Sequence, residues 1–491
     1  MRRAHSVCLL ICVCLVGQSL AHHIKESAAK NMPVTTSSPK ARELFNRALI
    51  DYENLYLERA NIGWRAASQG DPNFALAYVF IAYNSNDPAE ASAAREKAKQ
   101  LAGKTTPGER LLITWITSVK ENNFIVGISA MNEMLEMFPK DKRLFYLVGG
   151  WLMAQSSYEQ AQKNLLKALV IDKNYPPALN DLAYCYAYSR EYPKAFEVME
   201  RYVAVLPTLP NPQDSYAEIL RMSGNFDAAV EHYRAALKID PDFDYSQLGL
   251  GDTYALMGNQ AQARAEYDKA IRMAHTDADR LSYALQSATT WARENNFTEA
   301  DKAFAAVADK AHATGFDLME AQAHRMMSMY QTDDTEALKH LASAEEAIDH
   351  PTSNVSQSDR EDERARILRY RAVRADHAGN QELAANTLKQ LETMAGATRS
   401  AVVQSSYHGA AGALLMSKPQ VPDSTLHEAI GHLEEDEDNP YSLELLSRAY
   451  AASGASDKRH EVEVKLRASN APTMEQALVV PAVRARRPEG L

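Results

Sequence analysis

From Ala41 onward, apolar side chains recur three and four residues apart in runs of roughly a dozen residues, a spacing that gathers them on one face of a helix. Polar, turn-forming strings such as SQGDPNF, MFPKDKR, SGNFD and MGNQ break the runs. The residues within them are mostly Ala, Leu, Glu, Lys, Gln and Arg, which lose little on entering a helix. No stretch alternates apolar and polar residues in the manner of a half-buried strand, so the pattern predicts an all-α protein.

The runs are copies of one another. A shift of 34 residues aligns Gly149, Ala183, Ala217 and Gly251, and the same shift aligns Ala161, Ala195, Ala229 and Ala263. Phe124, Tyr158, Tyr192 and Phe226 form an aromatic ladder, Leu165, Met199, Tyr233 and Tyr267 a ladder of large residues, and Pro207 and Pro241 close two units. Small residues in one helix and twelve positions later in the next let two antiparallel helices approach closely, while the large ladder fills the space beside them. Proline then ends the second helix, having no amide to donate.

In these registers the chain resembles the tetratricopeptide repeat family, and in the unit 176–209 the matching residues are Leu182, Ala183, Tyr186, Ala195, Met199 and Pro207. Tyr202 departs from the pattern, standing where Ala168, Ala236 and Ala270 stand in neighbouring units. The resemblance implies a superhelical solenoid of stacked helix pairs spanning 41–470, with the best-defined repeats at 108–277. Ala48, Ala60, Trp64, Ala67 and Pro72 repeat the spacings near the start; Ala288, Ala300, Phe304 and Val307, then Ala372, Ala384, Leu388 and Leu391, repeat most of them later. The unit around Ala337 and Leu341 is looser, and the one around Leu446 and Tyr450 lacks the second small residue. Residues 350–364, polar throughout, are expected to form a loop or mobile break.

The N-terminus differs from the rest. Arg2 and Arg3 precede the apolar stretch VCLLICVCLVG, and Ser19 and Ala21 are placed for cleavage before His22, so 1–21 read as a secretory signal too short to span a bilayer comfortably. Residues 22–40 read as a flexible lead-in. The expectation is therefore an exported protein, periplasmic or secreted, with no integral membrane span after cleavage. Cys8, Cys12 and Cys14 lack the preceding small residue of a lipidation site, and beyond the signal only Cys185 remains, leaving no disulfide to form. A net charge of −11, with 64 acids against 53 bases spread along the chain, argues against a nucleic-acid partner.

Candidate chemistry is sparse. His427 and His432 in HEAIGH are five apart, about 140° around a helix, so they do not suit one metal ion as the HExxH spacing would. Cys185 has no histidine near it in sequence and reads as a packing residue. The acids of HLEEDEDNP lack the spaced oxygens of a calcium loop and read as a solvated loop. No phosphate loop, dinucleotide fingerprint or nucleophile elbow occurs, so neither a cofactor nor a metal is expected and the chain reads as non-enzymatic.

What remains is a surface. First helices line the concave side of a repeat superhelix, where the resemblance places Tyr146, Gly150 and Met153 of one unit, Asn180, Tyr184 and Tyr188 of the next, and Asp214, Glu218 and Arg221 of the third. Tyr186 and Tyr192 lie on the repeat ladders and are expected to be buried; Tyr184 and Tyr188 do not. Gly150, 34 residues before Tyr184, is expected to leave room beside that ring. Some members of the family grip a terminal carboxylate with Lys, Arg and Asn on these faces; here the positions hold Leu112, Ile116, Tyr146, Gly150, Tyr184 and Asp214, so that clamp is not expected. The leading expectation is a protein-binding scaffold taking an extended peptide or protein segment. Two alternatives stand beside it: an envelope-assembly factor using its tail (471–491), and an enzyme or enzyme subunit with its site in the divergent region 316–397. In the tail, an apolar run from Ala477 to Val483 precedes Arg484, Arg486 and Arg487; it is expected to cap the last helix pair, with peripheral membrane or partner contact as the other reading.

Overall fold

The computed structural model describes residues 31–486 apart from 55, 86, 122, 350–354, 399 and 419–420. The expected signal and the first part of the lead-in lie outside the described residues, as does Arg487. Among the described residues all regular structure is helical: twelve successive helix pairs and a final single helix, Met474–Ala485. The five pairs between Pro107 and Met273 are the five units of unbroken 34-residue register, and two further pairs precede them from Pro39.

The ladders do what their side-chain sizes dictate. Ala161, Ala183, Ala195, Ala217, Ala229 and Ala263 are all fully buried where the two helices of a unit cross. A methyl group on Gly149 would sit 2.7 Å from Leu165, and one on Gly251 would sit 2.6 Å from the Tyr267 ring, so glycine stands where the large ladder presses hardest. Between the helices of four consecutive units the backbone enters the left-handed region at Ser156, Arg190, Gly224 and Gly258, again 34 residues apart. At each, the chain leaves the first helix and turns back, and two residues later the second helix opens, on the half-buried aromatic ladder in the first three units and on Gln260 in the fourth. That backbone ladder carries no single residue type, so it is not visible in the sequence.

Beyond Thr276 the helices lengthen, to 17 and 18 residues in the next pair and to 21 in Gln357–His377. The extra turns preserve the small-residue crossing, with Ala288, Ala300, Ala337, Ala372 and Ala384 buried, but shift the next unit out of the 34-residue register. This is why repeats beyond that point look decayed in sequence.

Two expectations are corrected. Residues 357–364 are not loop: Ser356 accepts the Asp359 amide and starts the Gln357–His377 helix, and Glu363 within this polar string is buried against Arg325. Residues 350–354 lie outside the described residues. The described part of the lead-in is pinned rather than free. Met32 N–H donates to Asp141, Thr35 donates through N–H and hydroxyl to Glu109, and Thr36 and Ser37 donate to Asp71. Those three carboxylates mark units spaced about one repeat apart, and the polar strand satisfies them in turn.

Gly251→Ala is expected to lower stability by about 1–3 kcal/mol through overpacking against the Tyr267 ring. Gly431→Ala, inside a helix with open space around it, is expected to raise stability by about 0.5–1 kcal/mol. Urea unfolding of the two variants followed by circular dichroism checks both signs.

Candidate functional site

Stacking places the first helices of successive units side by side, and the residues 34 apart on them face the same concave space. Tyr184, on Pro176–Tyr188, donates its hydroxyl to Glu218 at 2.6 Å, on Asn211–Ser223. Arg221, one turn on, meets Glu218 at 3.1 Å and Asp252 of the next first helix at 3.7 Å. Asp214 accepts the Ser246 hydroxyl at 2.6 Å, and Asp252 accepts that of Tyr267 at 2.7 Å. Tyr184, Asp214, Glu218, Arg221 and Asp252, together with Tyr233 and Tyr245, surround a cleft of about 410 Å³, bordered also by Asn54, Tyr56 and Leu57 from the first unit. The superhelix therefore curls tightly enough for its beginning to face its fifth, sixth and seventh first helices.

Three carboxyls share this cleft with one guanidinium. Burial pushes the Asp214 carboxyl up to about 7 and raises that of Asp252. Arg221 is itself buried and holds two of its nitrogens, Nε and Nη1, without a hydrogen bond. The cleft thus has three carboxyls, an aromatic wall and two unfilled N–H donors on Arg221 that a partner's carbonyl oxygen would satisfy.

The remaining expected groove residues divide. Tyr146 is buried between the rings of Tyr52 and Tyr175, at 6.2 and 5.8 Å between centroids, and lines a separate cavity of about 270 Å³. The space beside Gly150 faces Asp181 Oδ2, 3.7 Å from where its Cβ would be, and no contact with the Tyr184 ring arises there. Met153 is half-buried in the apolar cluster of the fourth and fifth units. Asn180 is buried, donating to Asp181 with its own carbonyl oxygen unpartnered. Asp181, one position off the expected face, was missed; burial pushes its carboxyl up to about 7. Tyr188 is 46% exposed and stacks on Tyr158 and Tyr184, continuing the aromatic wall out of the cleft. Tyr186 and Tyr192 are half-buried rather than buried. Tyr202, in place of an alanine, is buried and accepts from Asn211 at the end of the same cleft.

Two family models match the middle of the chain: one described as TPR repeat over residues 217–258, and one as tetratricopeptide repeat over 245–276. Residues 217–276 match tetratricopeptide repeats. The matched stretch includes Glu218, Arg221, Tyr233, Tyr245 and Asp252 of the cleft. No curated protein matches the chain. Among solved structures, similar ones include a tetratricopeptide repeat protein from Parabacteroides merdae, 14% identical, covering 55% of this chain and 93% of that one at a TM-score of 0.35. Another is pilF of Pseudomonas aeruginosa, 18% identical over 52% and 93% at 0.30. A third is MamA of Desulfovibrio magneticus, 15% identical over 34% and 96% at 0.31.

The later repeats present a different concave lining. Arg325 is buried against Glu363 at 2.6 Å, Arg369 against Asp436 at 2.7 Å, and Arg374 reaches Asp334 at 2.9 Å. Asp436 belongs to the string expected as a solvated acidic loop; it is buried because Arg369 and Ser442 both donate to it, while Glu437 and Asp438 stay exposed beside Lys465. Gly409 makes room for that pair, since a methyl group there would lie 2.5 Å from both partners. The divergent region 316–397 consists of two helix pairs of the ordinary kind, tied by these ion pairs. Among the described residues no three His, Cys, Asp or Glu side chains converge on a metal position. His427 is exposed near the Asp423 carbonyl, whereas His432 pairs with His408 at 2.9 Å. Cys185 is buried, which pushes its thiol up to about 12.

The tail also departs from expectation. Residues 474–485 form a helix that packs on Pro440–Ala452 and Ser456–Arg467 but extends to Asp277–Arg293, four repeats earlier. Its apolar residues find a continuous wall there, which the last helix pair alone does not supply.

Asp181 and Asp214 have folded-state carboxyls raised above the unfolded value, so the folded chain holds more protons than the unfolded one between about pH 4 and 7. Stability is therefore expected to fall as pH rises through that window. Asp181→Asn is expected to be more stable than the native chain by about 2–4 kcal/mol at pH 8, with the gain vanishing near pH 4. Thermal melts at the two pH values measure it.

Proposed function

We propose that the chain is a non-enzymatic interaction scaffold whose central cleft receives an extended protein segment bearing a basic side chain. The observation that carries this reading is the cleft at Tyr184, Asp214, Glu218, Arg221 and Asp252: concave, aromatic-walled, and short of positive charge. A lysine or arginine of the partner would ionise Asp214 and pair with it, in place of a proton. Tyrosine rings at the rim add contact area with a hydroxyl kept available for hydrogen bonding. The tetratricopeptide repeats support protein binding in general; the basic character of the occupant rests on the charge of the cleft. The pattern of residues 1–21 supports export as the setting in which such a scaffold works.

Selection of random twelve-residue peptides on the full chain tests the reading. Enriched peptides are expected to carry Lys or Arg beside apolar residues, and Tyr184→Ala/Tyr188→Ala or Glu218→Lys is expected to weaken them about tenfold or more. Because ligand and proton compete for Asp214, affinity is expected to rise by up to about tenfold from pH 6 to pH 8, and Asp214→Asn is expected to flatten that rise. Enrichment of acidic peptides, or indifference to all three substitutions, would exclude the cleft as the binding surface.

A further inference from the structure

The tail helix occupies the concave space of the later repeats, where a ligand of that half would lie. Its neighbours are the first helices Asp277–Arg293, Asp317–Tyr330 and Pro440–Ala452, of units far apart in sequence, and the second helix Ser456–Arg467. Met474, Gln476, Ala477, Val479, Val480 and Val483 are buried along it. At its first turn Glu475 accepts the Tyr370 hydroxyl at 2.6 Å, and Gln476 accepts from Arg293. Burial alone would raise the Glu475 carboxyl, but the charges of Arg325 and Arg369 and the Tyr370 hydroxyl outweigh it and hold the group below the usual range. This groove therefore recognises an acidic first turn on an apolar helix.

Three features mark the resident helix as an incomplete occupant. Its buried side is built largely of Ala and Val, which remove less apolar area from water than Leu or Phe would. Pro481 inside it deletes a backbone hydrogen bond. The groove also runs on past it as an open cleft of about 420 Å³, where Arg369 and Tyr370 border both parts and Arg374 and Arg448 lie beyond. Arg369 and Arg374 are paired with Asp436 and Asp334, and Glu444 of the same lining with Arg486, while among the described residues Arg448 makes no ion pair, so one guanidinium of the cleft stays unmatched.

We propose that the concave groove of 277–452 is a second interaction surface that takes a partner's amphipathic helix with an acidic first turn, and that the chain's own 474–485 helix holds it until that partner displaces it. It is opposite in charge to the central cleft, and it stands or falls separately from the reading of that cleft. The link from Ala468 to Thr473, containing Pro472, is non-helical and is held by Asn470 donating to the Met222 carbonyl and by Arg484 and Gln476 donating to Ser469, contacts the tail gives up when it leaves.

The test uses the full chain and a labelled peptide copying residues 470–486. Glu475→Lys in the chain weakens the resident helix, so this variant is expected to bind the native-sequence peptide at least about tenfold tighter than the unsubstituted chain does. A peptide with lysine at the same position is expected to bind about 100-fold more weakly or not at all. Hydrogen exchange on the unsubstituted chain, which needs no variant to fold, is expected to show amides of 474–485 opening together before those of 277–293 and 357–377. The proposal is overturned if the variant chain binds the peptide no better, if both peptides bind alike, if the tail exchanges only when the whole stack unfolds, or if the chains merely swap tails into a dimer that ignores the peptide.

Discussion

Each unit is held together by the crossing of its two helices over a small residue. Wherever Ala or Gly stands at that crossing the helices approach closely, and the large residue beside it fills what remains. Because the crossing recurs at a fixed interval, each unit is set against the next by the same small rotation, and a superhelix follows without any contact between distant parts of the chain. Curvature is thus a consequence of local packing. Through that curvature the loop after the first helix comes to face the fifth to seventh units, and a tail helix reaches back four repeats.

The curl then creates an electrostatic problem that the two halves solve differently. First helices brought side by side remove charged side chains from water, and a charge so placed must be neutralised, paired or left for a ligand. In the central repeats the burden falls on carboxyls. Asp181 and Asp214 meet it by holding protons to about pH 7, Asp252 through Arg221 and a tyrosine hydroxyl. In the later repeats arginines predominate, and they are matched by carboxylates drawn from another first helix, a connecting loop and the tail. One half is left short of cations and the other is supplied with an anion by the chain's own end.

How much of this was legible follows from the range of each interaction. The small-residue and large-residue ladders depend on neighbours within one unit, so they are written at a constant interval and can be read off directly. The cleft was half legible: Tyr184, Asp214, Glu218 and Arg221 share a face that the register defines, and they do meet. Tyr146 and Gly150 share the same face yet look elsewhere, because Tyr52 of the first unit closes over that part of the groove. Nothing in the spacing of Arg325 and Glu363, or of Arg369 and Asp436, marks them as partners, since their meeting depends on accumulated curvature. Polar strings misled for a related reason. The residues from Met32 to Ser37 and those around Asp436 look solvated, yet each polar group was the complement of a buried charge supplied from elsewhere in the fold.

The same reasoning bears on why the tail carries Glu475 rather than another apolar residue. An all-apolar helix would fill the later groove with less desolvation, and buried ionic groups often add little net stability over apolar ones of similar shape. What a carboxylate adds is register: only one placement of the helix sets it between Tyr370, Arg325 and Arg369, whereas an Ala and Val surface could slide by a turn. Position is thereby fixed at some cost in affinity, and a helix held by position more than by area is one that a better-matched helix can replace. The small apolar face and the single buried charge are two halves of one arrangement, specific enough to exclude the wrong occupant and weak enough to yield to the right one.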